Sequence, residues 1–207
     1  METHTHSITH DGISETFLGL QTTLDEPLAV FRSFMPQEPD VVVAQLVFGG
    51  CTYHDAAKAA MGGVNWPMMW QQGDSCSGAH VTGMQAFTVK GTAIRRLESK
   101  GRVVGSCWSD AEADYCLLAG IQPDDLTALR PAQARQVFEN MEQVLLSAGM
   151  DFRNVVRTWL FLDGLLDWYD EFNAVRTQFF RERGVFDNIV PASTGIGAVN
   201  PSGSALL

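Results

Sequence analysis

Between Pro131 and Ala198 the hydrophobic pattern switches from helical to extended spacing and back, which constrains the fold more than any other feature. Val137, Phe138, Met141, Val144, Leu145 and Ala148 fall on one helical face, and Gly149 follows as a stop. Asn154 to Leu162 (NVVRTWLFL) reads as a strand. Asp167 then stands where a second helix needs a cap, and Trp168, Phe172, Val175 and Phe179 recur at helical steps up to Gly184. Ile189 to Ala198 (IVPASTGIGA) reads as a glycine-loosened strand, and Ser204-Ala205-Leu206-Leu207 as the start of another that stops. Strand, helix, strand, helix, strand, strand is an α+β order, with two helices on one face of a sheet.

The first half gives a fainter version of the same order. A polar lead of ten residues, expected to be flexible, precedes a strand over 15–21. Pro27 opens a helix to Met35. Strands follow at 40–48, 67–72, 80–89, 93–97, 102–107 and 114–121, and an Ala-rich helix spans His54 to Met61. The expectation is two related halves, residues 1–102 and 103–207, the second incomplete at its C-terminus.

Charge narrows the partners. With 24 acidic against 14 basic residues, the net charge is -10. Such a surface repels phosphate backbones and anionic lipid, so nucleic acid and membrane are not expected partners. The start of the chain lacks a basic, apolar leader, and no apolar run is long enough to span a bilayer; a cytoplasmic location is expected, with Cys51, Cys76, Cys107 and Cys116 reduced.

Several clusters invite chemistry. Cys51 and His54, with Cys76 and His80, have the ligand types of a zinc site, but packing and turn roles explain them as well, and no metal or other cofactor is expected. The Gly73–Gly78 loop carries Ser75, a nucleophile only if His54 or His80 lies near; a polar turn is the plainer reading. His4, His6 and His10 alternate in the polar lead. Trp66 to Trp70 could line a pocket. Asp163, Asp167, Asp170 and Glu171 form an acidic corner that helix capping explains.

The C-terminal half resembles the RidA (YjgF/Rid) family. Leu118-Ala119-Gly120-Ile121-Gln122-Pro123 is similar to its first motif, Gln133 to Met141 to its first helix, and Val144–Gly149 with Asn154–Leu162 to the next segment. Phe172-Asn173, Phe179-Phe180 and Pro191-Ala192-Ser193-Thr194 complete the series in order. The resemblance implies a RidA/chorismate-mutase-like sheet with two helices and a homo-oligomer, trimer or pseudo-trimer, with pockets between subunits. It also implies hydrolysis of small imine or enamine acids. The joined halves are similar in layout to chorismatases, which eliminate pyruvate. Two family elements are missing. Ser193 stands where the family's carboxylate-clamping arginine would be, or that arginine is deleted, and the glutamate of the last strand is absent. The implied binding set is Gly120, Gln122, Asn173, Ser193, Thr194 and Gly195, with no catalytic residue carried over. The expectation is an atypical Rid protein acting on a small polar metabolite. Its rival is a non-catalytic metabolite-binding or assembly subunit, and a partner chain could complete the last strand.

Overall fold

The computed structural model describes residues 2–21, 41–73 and 81–206, and the helix expected at 27–35 lies outside them. The chain divides into two compact units, Met1–Gly120 and Ile121–Leu207.

The first unit opens on a hairpin. Strand β1 (Glu2–His10) pairs antiparallel with β2 (Ile13–Gln21) along its whole length, His10 facing Ile13. The expected flexible lead is thus a strand. Asp11 and Gly12 turn the chain with φ of +45° and +80°, as a two-residue Asp-Gly hairpin loop requires. Strands β3 (Val42–Gly49), β4 (Met68–Gln72) and β5 (Val81–Lys90) extend the sheet in the order β1-β2-β5-β3-β4. β3 and β4 are parallel, joined through helix α1 (His54–Met61), and β5 runs antiparallel between β2 and β3. Ala57 and Met61 of α1 pack on Val47, Trp70 and Met84, a buried cluster. Trp66 is buried as well, its indole N–H donating to Gln45 Oε1 at 3.0 Å, while Trp70 donates to the Gly49 carbonyl at 3.0 Å. These indoles belong to the core rather than to a pocket wall.

A three-stranded antiparallel sheet completes this unit: β6 (Arg95–Ser99), β7 (Arg102–Ser109) and β8 (Asp114–Leu118), in that order. Trp108, Tyr115 and Leu117 on one face of it pack against Ile13, Val43, Phe87 and Val89. A bulge in β3 between Val42 and Ala44 takes two carbonyls out of register. They are satisfied from the second sheet: Arg96 Nη1 donates to Val42 O at 2.6 Å and Ser106 Oγ to Val43 O at 2.7 Å.

The second unit packs helices α2 (Arg130–Ser147) and α3 (Tyr169–Glu182) around four fully buried phenylalanines, Phe138, Phe152, Phe172 and Phe179. Phe138 stacks on Phe179 at 5.4 Å between ring centroids, and Phe152 meets Phe179 edge-on at 4.8 Å. Arg183 clamps Glu142 through two 2.8 Å bonds and lies 4.4 Å from the Phe179 ring, tying the end of one helix to the side of the other. Strand β9 (Arg157–Leu162) begins three residues later than expected. Phe152–Asn154 forms a 3-10 turn held by a capping box in which Asp151 accepts from Arg153 N and Asn154 from Asp151 N. β10 (Ala192–Gly197) lies parallel to β9. Asp167 does not cap α3: the N-cap is Trp168, and Asp167 sits in the preceding 3-10 turn, 3.6 Å from Arg130. Asp163 also faces Arg130, at 3.9 Å, so two members of the acidic corner serve an ion-pair cluster instead.

The segment after β10 is pinned by buried polar side chains. Gln133 Nε2 donates to the carbonyls of Leu126 and Ala128 at 3.0 and 2.8 Å, and its Oε1 accepts from Ala205 N at 2.9 Å. Asn200 Nδ2 donates to Ser204 O at 2.7 Å. This positions Leu206 in an antiparallel bridge with Leu162. Elements of both types in each unit make the architecture α+β, with mixed sheets and three α-helices among the described residues.

Candidate functional site

The six expected binding residues fall in different settings. Gly120 is the last residue of the first unit. Its φ is +68°, and a Cβ there would meet the Met68 carbonyl at 2.8 Å, so only glycine fits. The other five lie in the second unit. The Gln122 carbonyl accepts from Asn140 Nδ2 at 2.7 Å. Asn173 Nδ2 donates to Tyr169 O at 2.8 Å, so its amide already serves the helix backbone.

Ser193, Thr194 and Gly195 are consecutive on β10, and the pleat sends Ser193 and Thr194 to opposite faces. Ser193 sits opposite Thr158, and the two hydroxyls bond at 2.8 Å on the face that buries Thr158 and Leu160. Gly195, opposite Leu160, shares that side. Thr194 projects from the other face with Arg157 and Trp159 of β9. Arg157 Nη2 donates to Thr194 Oγ1 at 2.6 Å, and the guanidinium lies 4.4 Å from the Trp159 ring centroid.

Arg157 is the residue that sequence reasoning passed over. Arg130, Arg135, Arg153 and Arg183 in the same unit are each matched to carboxylates, whereas, among the described residues, Arg157, Arg176 and Arg181 are not. Arg157 makes no ion pair among the described residues; a hydroxyl and an indole hold it. Trp159 is 55% exposed beside it. A guanidinium fixed in direction, with free N–H groups and a flat apolar neighbour, can accept a carboxylate and the carbon skeleton behind it. Its contact with Thr194 spans 37 residues, so no local motif announces it.

The thiol and imidazole groups of the first unit form a different picture. Cys51 opens the 3-10 turn Cys51–Tyr53 that follows β3, its backbone N–H donating to Gln72 Oε1 at 2.9 Å. His54 Nδ1 lies 2.8 Å from Asp55 Oδ1, and its ring meets Trp70 edge-on. Cys76, His80 and Ser75 lie outside the described residues, and among the described residues no group of three or more His, Cys, Asp or Glu is placed to hold a metal ion. No described helix is long and apolar enough to cross a membrane.

Residues 118–200 match the sequence model of the family described as Endoribonuclease L-PSP, which supports a YjgF/RidA-type assignment of this stretch. No curated protein matches the chain. Among solved structures it is similar to E. coli TdcF with bound serine (21% identity, 54% of this chain and 92% of that one, TM-score 0.45). It is also similar to the E. coli YjgF gene product (23%, 54% and 86%, TM-score 0.44) and to yeast Mmf1 (20%, 55% and 86%, TM-score 0.41).

Proposed function

We propose that this protein acts on a small, polar, carboxylate-bearing metabolite, and that Arg157 anchors the carboxylate. The observation that carries this reading is the guanidinium held by Thr194 and Trp159 without an acidic partner. In a chain of net charge -10, an arginine left without a carboxylate is well suited to an incoming anion. Hydrolysis of an imine or enamine acid is the reaction class favoured by the family; a chorismatase-like elimination is a weaker form of the same reading. Of the expected binding residues, Thr194 shares the face of Arg157 and is its direct hydrogen-bond partner. Val156, Ile189 and Val190 are exposed to 66%, 69% and 47%. This apolar surface supports a homo-oligomer, trimeric or pseudo-trimeric, in which copies cover it.

A non-catalytic metabolite-binding subunit is the second reading. It is favoured by the face of β9 and β10 that carries Arg157, Trp159 and Thr194, where neither strand contributes a carboxylate, imidazole or thiol to move a proton. Two measurements decide between them. Thermal-shift titration with small keto acids should raise the melting temperature by mass action in wild type and weaken about tenfold in Arg157→Gln. Turnover of an imino acid generated in situ distinguishes enzyme from binder. Ser193→Arg should alter or block binding; an unchanged titration in both variants removes β10 from the site.

A further inference from the structure

We propose that Cys107 and Cys116 are a redox-active dithiol that closes into a cross-strand disulfide by exchange with a small-molecule disulfide such as oxidised glutathione. The two residues are direct partners across β7 and β8. Ladder bonds on either side fix the kind of pair they form. Ala119 N donates to Val104 O at 2.9 Å and Asp110 N to Ala113 O at 3.0 Å, so Val104–Ala119 and Asp110–Ala113 are hydrogen-bonded pairs. Pair types alternate along an antiparallel ladder, which makes Cys107–Cys116 a non-hydrogen-bonded pair. Such pairs bring Cα atoms to about 4.5 Å, inside the roughly 4.4–6.8 Å that a disulfide needs. No backbone movement is required.

The side chains agree with the register. Both cysteines are free; Cys107 is buried and Cys116 half-buried. They project from the face of the three-stranded sheet opposite Trp108 and Tyr115, which pack on the five-stranded sheet. Arg95 of β6 is the partner of Cys107 on its other side. Burial, and then the neighbouring Cys107, push the Cys116 thiol up to about 12.

The exchange balances in two steps. The Cys107 sulfur, losing its proton, attacks one sulfur of the small disulfide; that S–S bond breaks, and one small thiol leaves carrying the proton. The Cys116 sulfur then attacks the Cys107 sulfur of the mixed disulfide, loses its own proton and expels the second small thiol. The chain gives up two hydrogens, and the disulfide is reduced to two thiols.

The test uses the full-length chain with Cys51→Ser and Cys76→Ser, leaving two thiols. Incubated with oxidised glutathione, it should lose both titratable thiols and the mass of two hydrogens, and peptide mapping should link Cys107 to Cys116. Cys116→Ser in that background should stop at one glutathione adduct on Cys107. Retention of two free thiols in folded protein would falsify the proposal, as would stable adducts on both cysteines or a link formed only between chains. If the chain unfolds after the double replacement, the same mapping on wild type decides, because a Cys107–Cys116 link must still dominate.

Discussion

The two parallel strand pairs of this molecule are built alike and finished differently. In the first unit, β3 and β4 are joined through α1, and β5 covers the free side of β3 with an antiparallel ladder from Gly49 to Val42. In the second, β9 and β10 are joined through α3, and among the described residues the corresponding side of β9 carries only the Leu162–Leu206 bridge. What the second unit lacks in ladder it replaces with side chains: Gln133, Asn200 and Ser204 hold the segment that ends in that bridge. The first unit has the reverse arrangement, a complete ladder beside a buried polar group, Gln71, that has no partner for either side-chain atom among the described residues. The order of strands is thus shared, while the means of fixing them is local.

The comparison is broken most sharply by removing the aromatic core of the second unit. Phe138 is fully buried and meets Phe152, Phe172, Phe179 and Phe180. Phe138→Ala should destabilise by about 3–5 kcal/mol, because the ring's contacts are lost and the cavity cannot fully collapse. Hydrogen exchange should quicken first at amides within 121–206, while β3 and β5 keep their protection. Uniform loss of protection across both units would show that the two finish folding as one.

How much of this was legible depends on where the information lies. Helix α1 and the body of α2 were readable because apolar spacing and a following glycine mark them, and Gly62 and Gly149 do turn with φ of +72° and +77°. Strand β1 was missed because its residues are exposed almost throughout, so no apolar alternation marks it. Its signal was the Asp11-Gly12 turn, which the polar composition obscured. Asp167 was misread because capping rules are local, whereas its partner Arg130 is 37 residues away. The geometry around the expected site residues depends on strand pairing in the same way. Ser193 and Thr194 are neighbours in sequence but opposed on the strand, and Arg157 reaches Thr194 only once β9 and β10 are paired. The missing arginine of the family motif was readable; the arginine that stands beside the strand was not.

A smaller effect tests the side-chain substitute for the ladder. Gln133 is 5% exposed and bonds three backbone groups. Gln133→Leu leaves the buried Ala205 amide without its partner and frees the less buried Leu126 and Ala128 carbonyls, which should cost about 1–3 kcal/mol. The expected signature is specific: the Asp163 amide, which donates to Ala205 O at 3.1 Å, should exchange much faster than the amides of α3. If Asp163 kept its protection, the bridge would be holding itself and the proposed trade between ladder and side chains would be wrong.

The smallest expected effect has the opposite sign. Gln71 is 1% exposed on β4, with neither its amide nitrogen nor its oxygen satisfied among the described residues. Burying an amide in this way forfeits its bonds to water and gains nothing in return. Gln71→Met keeps the length of the side chain and removes the polar atoms, so it should stabilise the protein by about 1 kcal/mol in denaturant melts. Gln72, next in the chain, is the control, because its Oε1 accepts from Cys51 N and Gln72→Met should destabilise instead. Opposite signs at adjacent positions would show that the first unit rests on its ladder and tolerates Gln71, whereas a loss at both would mean that Gln71 is serving a partner when the protein functions.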